Sequence, residues 1–388
     1  MTGHSPLLNS VPGAVAPPDG DLSPGVAWHY GDPLGEQRAA VRGAAVVDRS
    51  DRTVIEISGD ERLSWLHTIS SQHLTGLADR RSAENLSLDG NGRVEDHFVL
   101  TDLDGITWVD TEHSRGPALT DFLTKMVFWA KAAPVARPDM VVLTLIGPDV
   151  RTGRIAEVLE IPAAADVYTA GDLPELHHED EPLGFWRIMP PTGETRSTPV
   201  VDLVVPESEL TRWWGMAVEA GARPAGTWAQ TALRVSAMRP RLGIDTDERT
   251  IPHEADWIGG PDEFGAVHLD KGCYRGQETV ARVHNLGKPP RRLVLLHLDG
   301  SADYRPATGD PVSAGGRTVG RVGTVVDHYD LGPIALALVK RNIPVDAELT
   351  VGDASSAEES MRARIEPDFY TSDDAVPPGR AAQQRLRS

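Results

Sequence analysis

The segment with the clearest chemical potential holds the only cysteine of the 388-residue chain. We call it the cysteine turn, and it consists of Lys271, Gly272, Cys273, Tyr274, Arg275, Gly276, Gln277 and Glu278. Its two glycines favour a tight turn, and the helix-compatible stretch that follows would point backbone N–H groups at a bound group. The two flanking cations favour a thiolate, so Cys273 is predicted to titrate below the ~8.5 of a free thiol. Burial as a small apolar residue is the alternative.

A basic strip extends from this segment into the residues that follow. Residues 271–292 contain six cationic side chains and one acid, Glu278, although the whole chain has a formal net charge of −19. The overall charge argues against general binding to DNA or to an anionic membrane surface. The strip therefore indicates a site for a small anion, and a solvated helix face and loop is the alternative.

The composition limits the class of protein further. A length of 388 residues indicates two or three domains, and no apolar run is long enough to span a bilayer. One cysteine excludes an internal disulfide, and any zinc or iron–sulfur site built from this chain's cysteines alone. It also favours a reducing, cytoplasmic location. No metal site is predicted, because the acidic stretch His177–Asp180 is typical of a solvated loop.

The order of predicted elements indicates an α+β fold. The pair Asp32-Pro33 begins a helix that Gly43 ends, and a hairpin turns at residues 89–92. The order of strand, helix, paired strands and helix occurs twice, which indicates two related α+β halves, and β-rich runs after Arg291 indicate a small antiparallel β-barrel. The predicted organisation is a disordered arm (1–25), a first half (26–145), a second half (146–287), the barrel (288–368) and a disordered tail (369–388).

The cysteine turn resembles the motif of the YgfZ folate-binding proteins at every position. These proteins are related to the glycine-cleavage T-protein, an aminomethyltransferase, and the resemblance continues collinearly from about Val26 to Glu366. It implies two interlocked α+β domains around a central folate pocket, followed by the barrel. It also implies binding of tetrahydrofolate or a one-carbon derivative, and a role in assembling or maintaining iron–sulfur enzymes, including enzymes that modify tRNA.

The same resemblance assigns folate-binding residues in the first predicted half. Asp96 matches the acid near the reacting nitrogens of folate, while Glu95 replaces the neighbouring acid. Asp110 ends a predicted strand and is expected to line the pocket. A solvated aspartate on a hairpin is the alternative for Asp96.

Three further residues are assigned in the second predicted half. Asp202 occupies the strand whose acid contacts the pterin, but it replaces the usual glutamate. Arg234 matches the folate-contacting arginine, although the glutamate expected two positions later is Ser236, and Trp257 would supply pocket wall. The alternatives are a strand-surface aspartate for Asp202 and a buried structural ion pair for Arg234.

Three functions are compatible with these residues. The first is a tetrahydrofolate-binding accessory protein for iron–sulfur clients, in which Cys273 is a transient thiol or one ligand of a cluster completed by a partner. The second is an active aminomethyltransferase. The third is a non-enzymatic adaptor that binds a protein, or less plausibly tRNA, through the basic strip. Whether the chain is an enzyme therefore stays open.

Overall fold

The computed structural model describes residues 4–174, 184–356 and 358–369, and the chain divides into two compact units. The first unit comprises Met1–Asn85 and Phe98–Leu233, and the second comprises Leu86–His97 and Arg234–Ser388. This division does not follow the boundaries expected from the sequence at residues 145 and 287. It differs because strands from both predicted halves pair within the first unit.

The helices and strands occur in the following order. The helices are α1 (Pro6–Ser10), α2 (Pro33–Arg42), α3 (Arg62–Ile69), α4 (Gly116–Lys125), α5 (Arg154–Val158), α6 (Leu210–Glu219), α7 (Thr227–Ser236) and α8 (Gln277–Leu286). The strands before the barrel are β1 (Ala45–Asp48), β2 (Thr53–Ser58), β3 (Arg81–Leu88), β4 (Val94–Leu103), β5 (Ile106–Thr111), β6 (Ala133–Ala136), β7 (Met140–Ile146), β8 (Ala170–Asp172), β9 (Phe185–Thr192), β10 (Thr198–Pro206) and β11 (Arg223–Ala225). The remaining strands are β12 (Arg291–Leu298), β13 (Pro311–Ala314), β14 (Arg317–His328), β15 (Gly332–Lys340), β16 (Leu349–Gly352) and β17 (Ser360–Ile365).

Two sheets are built on the first unit. A six-stranded sheet has the order β11-β1-β7-β10-β9-β8, and a five-stranded sheet has the order β3-β4-β5-β2-β6. Strand β1 precedes the five-stranded sheet in the chain but pairs with β7 and β11 of the other sheet. This exchange confirms the interlocked α+β arrangement that was expected. Apolar side chains from both sheets, among them Trp108 and Phe185, form one buried cluster.

Local sequence signals account for helix α2 and for the hairpin. The Asp32 side chain accepts a hydrogen bond from the Gly35 N–H, Pro33 occupies the first turn, and Gly43 follows the last helical residue. An aspartate cap and a first-turn proline are favourable at a helix N-terminus. The hairpin between β3 and β4 turns at residues 89–92 as predicted, with Gly92 at a φ of +77°.

The N-terminal arm differs from its prediction. Residues 1–25 were expected to be disordered, but the described part, residues 4–25, contains α1 and packs within the first unit. The Ser5 hydroxyl accepts from the Leu7 N–H and donates to Asp48, and Leu7 is fully buried in the core of the six-stranded sheet. One apolar anchor and one cap are enough to hold a segment whose average composition suggests disorder.

The C-terminal part of the second unit confirms the predicted barrel. Six antiparallel strands close in the order β12-β15-β14-β13-β16-β17. Inward-facing residues such as Leu296, Val312 and Ala337 are fully buried, as the alternation of side chains along strands requires. In the same unit, Arg291 at the start of β12 binds Glu254 and Asp247 and so fastens the barrel to the segment before α8.

We expect Leu7→Ala to lower the free energy of unfolding by about 2–5 kcal/mol, because it removes a fully buried side chain and leaves a cavity. Urea denaturation followed by circular dichroism measures the change. Asn9→Ala, at an exposed position of the same helix, is the matched control and should change little. Equal stability of the two variants would mean that the arm does not dock.

Candidate functional site

A buried ion network lies in the first unit, where β9 and β10 of the six-stranded sheet face β5 of the other sheet. Arg187 on β9 is directly opposite Asp202 on β10, and Asp202 is opposite Thr144 on β7. Arg187 Nε and Nη2 donate to Asp202 Oδ2 at 3.2 and 2.9 Å. Its Nη1 lies 2.6 Å from Asp110 Oδ1. The arginine, only 1% exposed, therefore bridges two of the predicted folate residues.

A second arginine completes the network. Arg52 Nε donates to Asp110 Oδ2 at 2.5 Å, and its Nη1 donates to Glu112 Oε1 at 2.7 Å. Burial by itself raises the pKa of Asp110, but the charges of Arg187 and Arg52 outweigh it and lower that pKa to about 2. The same carboxylates raise the pKa of both arginines despite their burial. Asp110, Arg52 and Arg187 are therefore ionised at neutral pH.

In the second unit, the cysteine turn packs against the hairpin that carries Asp96. A Cβ atom added to Gly276 would lie 2.7 Å from Asp89 O, and one added to Gly92 would lie 2.8 Å from Thr279 Cβ. Both glycines have positive φ, at +85° and +77°, so glycine alone suits the conformation and the close approach. Arg275 Nη1 also donates to Glu95 Oε2 at 2.8 Å. The structure thus brings the cysteine turn into contact with Glu95 on β4, the residue before Asp96.

The two predicted pterin residues of this unit, Asp96 and Trp257, are buried. Asp96 is 3% exposed and accepts a hydrogen bond from the Ser87 hydroxyl at 2.7 Å. Trp257 is buried, and the His97 ring stacks on it with centroids 5.2 Å apart. Tyr274 of the cysteine turn packs at the edge of the same apolar cluster as Trp257.

The Cys273 thiol and the Lys271 amine of the cysteine turn differ in their exposure to solvent. Cys273 is exposed, whereas the Lys271 amine is largely buried, 4.8 Å from the centre of the Tyr274 ring. Burial lowers the pKa of Lys271 to about 8, because the charged form loses hydration. An accessible thiol therefore lies two residues from an amine that exchanges its proton near neutral pH.

Arg234 forms the structural ion pair that was the predicted alternative to folate binding. Its Nη1 donates to Asp245 Oδ2 at 2.7 Å and to Arg239 O at 2.8 Å, and its Nη2 donates to Thr324 Oγ1 at 2.7 Å. These are contacts within the second unit that join the end of α7 to barrel strand β14. The side chain is a structural link, and a direct role in folate binding stays a prediction.

The basic strip is also largely engaged by acids and carbonyls. Arg275 binds Glu95, Arg291 binds Glu254 and Asp247, and Arg292 donates to the Ile343 carbonyl. Arg282 and Lys288 are exposed. The strip is therefore not a uniform anion-binding surface, and the predicted small-anion site stays a prediction.

Sequence reasoning missed Arg52 and Arg187, the two cations of the ion network. A signal was present, since Arg187 is a single charge in the apolar strand β9 and Asp202 is a single charge in the apolar strand β10. Opposite lone charges on consecutive apolar strands predict a cross-strand pair. The stretch His177–Asp180 lies outside the described residues.

Comparison with known proteins agrees with this fold. Residues 291–365 match the family model of the CAF17 C-terminal beta-barrel domain. A tRNA-modifying protein YgfZ of Sodalis glossinidius is 24% identical over 322 residues, covering 82% of this chain and 91% of that protein. An aminomethyltransferase of Stenotrophomonas maltophilia is 23% identical over 335 residues, covering 82% and 87% of the two chains.

A solved structure has the same architecture over most of the chain. The glycine cleavage system aminomethyltransferase T from Bartonella henselae superposes with a TM-score of 0.77 at 17% sequence identity, covering 92% of this chain and 94% of the other. Fold and matches together define a protein with the aminomethyltransferase fold and a CAF17-type C-terminal barrel. Within that class, the resemblance to the YgfZ proteins inferred from the cysteine turn is confirmed. Among the described residues, no helix is long and apolar enough to cross a membrane.

We expect Asp110→Asn to destabilise the protein, and the loss to shrink as the pH is lowered. The folded pKa of Asp110 is about 2, below the unfolded value of 3.8, so its stabilising contribution is complete above the unfolded pKa and disappears as the pH falls through 2. The difference in unfolding free energy between the two proteins should decrease by about 2 kcal/mol over this window. Denaturant titrations between about pH 5 and pH 2.5 measure it. Asp104→Asn, at an exposed site, is the control, and a constant difference would contradict the ionised network.

Proposed function

We propose that this protein binds tetrahydrofolate and supports the assembly or repair of iron–sulfur clusters in client enzymes, including enzymes that modify tRNA. The observation that carries the proposal is the packing of the cysteine turn on the hairpin of Asp96 in the second unit. The exposed thiol thereby belongs to a turn that is packed against the hairpin whose strand β4 carries the buried Asp96. The YgfZ relative, named a tRNA-modifying protein, supports the choice of clients.

The residues present fit a reduced folate. The pterin ring has amino and ring N–H donors, which require carboxylate or carbonyl acceptors and an apolar wall. Asp96 supplies a buried carboxylate, and Trp257 and His97 supply stacked rings in the same unit. Asp110 and Asp202 of the first unit are acceptors of the same kind. Bound tetrahydrofolate would supply a carrier for one-carbon units.

Cys273 has the exposure that contact with a client requires. One thiolate cannot hold a cluster by itself, so a cluster ligated at Cys273 takes its other ligands from the client. The Lys271 amine, two residues before Cys273 in the chain, packs on the Tyr274 ring, and burial lowers its pKa to about 8. The single cysteine also supports a cytoplasmic location as part of this proposal.

An aminomethyltransferase reaction is the second candidate. It is favoured by the curated aminomethyltransferases that align with most of the chain and by the matching fold. The chain retains Asp96, but Ser236 replaces an acid expected by that family and Arg234 is tied to the barrel. Robust glycine cleavage with a lipoylated carrier protein would establish this candidate in place of the first.

We expect calorimetric titration with tetrahydrofolate to show saturable binding, and Asp96→Asn to weaken it by at least about tenfold, because the variant loses a charged acceptor. Asp262→Asn, at an exposed position of the same unit, is the matched control and should bind like the parent. Absence of binding at about 1 mM ligand would reject the folate proposal and favour the adaptor that binds a protein or tRNA.

We expect Cys273→Ala to fail to restore iron–sulfur enzyme activity in a strain that lacks the chromosomal copy, while its affinity for tetrahydrofolate stays unchanged. Client enzyme activity in extracts and calorimetry measure the two properties separately. Asn285→Ala, at an exposed position on α8, should restore activity fully. Full restoration by Cys273→Ala would show that the thiol has no role.

A further inference from the structure

The two most exposed large apolar side chains of the described residues are neighbours in a turn of the first unit that follows helix α4. Trp129 is 98% exposed and Phe128 is 75% exposed. We call residues 126–131 the aromatic turn. Phe128 has a φ of +44°, a left-handed conformation that is strained for a bulky residue. Two adjacent aromatic rings left in solvent indicate an interaction surface, because aromatic residues supply much of the binding energy of protein interfaces.

Hydrogen bonds to helix α3 and to the residue before it hold the aromatic turn in place. The Glu61 N–H donates to Lys131 O at 3.2 Å, and the Lys131 N–H donates to Glu61 Oε2 at 2.9 Å. Trp65 Nε1 donates to Met126 O at 2.7 Å. A Cβ atom added to Gly59 would lie 2.2 Å from Lys131 O, so glycine is needed for this close approach. A surface that is ordered before it binds loses less conformational entropy on binding.

An added strand and a nucleic acid are poor matches to this surface. Strand β6, which follows the turn, is the edge of the five-stranded sheet, but its Pro134 has no N–H to offer a further strand. The cations nearby are matched by acids, since Lys125 lies 2.6 Å from Asp121 and Arg137 pairs with two carboxylates. On a chain of net charge −19, such a surface does not attract a polyanion.

The exposed face of α4 has the charge balance that contact between two copies of the chain requires. Pro117, Ala118, Asp121 and Lys125 are exposed, and their spacing places them on one side of the helix. Two copies that each carry −19 repel each other. They can meet most easily where acid and base are present in equal number, as they are on this face.

This face is also complementary to itself in one particular register. Two copies of α4 that pack antiparallel about a two-fold axis at Leu123 place each residue opposite the one equally far from that position in the other direction. Asp121 then lies opposite Lys125 of the second copy, and Lys125 lies opposite its Asp121. The same register places small exposed residues opposite the aromatic turn, with Ala118 opposite Phe128 and Pro117 opposite Trp129.

We propose that the exposed face of α4 and the aromatic turn bind a second copy of this chain and form a two-fold symmetric dimer. Trp129 and Phe128 supply the apolar contact, and Asp121 and Lys125 select the antiparallel orientation. One helix and one turn make a small interface, so the dimer forms in a concentration-dependent equilibrium.

The first test is sedimentation velocity of the full chain between about 1 and about 200 μM. The parent should change from monomer to dimer over this range, and Trp129→Ala should raise the dimer dissociation constant at least about tenfold. Higher salt should strengthen dimerisation of the parent, because it screens the repulsion between two acidic copies. Leu286→Ala, which removes an exposed apolar side chain from α8, is the control and should dimerise like the parent.

A charge-reversal experiment tests the orientation at low salt. Asp121→Lys and Lys125→Asp each place like charges opposite each other, so each variant alone should dimerise more weakly than the parent. An equimolar mixture of the two should dimerise more tightly than either variant alone, because opposite charges then meet. Association through apolar contact alone does not predict this recovery. Circular dichroism checks that each variant is folded.

Three results would overturn the dimer. They are a parent that stays monomeric at about 200 μM, a Trp129→Ala variant that dimerises like the parent, and a mixture that associates no better than its components. If the parent is monomeric and Trp129→Ala instead loses binding to RNA or to lipid vesicles, the aromatic turn has that occupant and the dimer is rejected.

Discussion

The first unit depends on one interaction, the bridge that Arg187 makes between carboxylates on two different sheets. Asp202 is a neighbour on the adjacent strand of the six-stranded sheet, while Asp110 belongs to the five-stranded sheet. Each buried charge is costly alone, so the sheets must meet where the charges pair. A shift of β9 by one residue would turn Arg187 to the opposite face and remove the cation that Asp110 and Asp202 share.

The apolar packing around the bridge has no comparable directional requirement. Trp108, Phe185 and Val204 bury surface wherever the two sheets approach, because hydrophobic attraction is roughly proportional to area. The ion network requires particular charges to meet. It therefore selects one strand register among several that would bury a similar apolar area. The same network fixes the position of the Asp202 carboxylate, so one feature determines both the packing of the sheets and the placement of a predicted folate-binding residue.

The second unit is stabilised by two other features. The backbones of the hairpin and the cysteine turn approach closely, and Arg291 forms ion pairs with two carboxylates. Gly92 and Gly276 allow the hairpin and the cysteine turn to touch where any side chain would collide. Arg291 connects Glu254 and Asp247 to the first barrel strand. The candidate thiol is consequently presented from a turn that is fixed on one side by the hairpin.

The sequence by itself determined the type of most elements and singled out the cysteine turn, whose chemistry stays a prediction. Helix α2, the hairpin and the barrel strands follow from caps, turn residues and alternation, which act over a few neighbouring positions. The motif at residues 271–278 carried the resemblance to the YgfZ proteins for the same reason, because it is contiguous. Only the tertiary structure decided the pairing of Arg187 with Asp110, the engagement of Arg234 by Asp245 and Thr324, and the docking of Leu7. These depend on which side chains meet across strands far apart in the chain, and a charge in a sequence does not say which opposite charge will reach it.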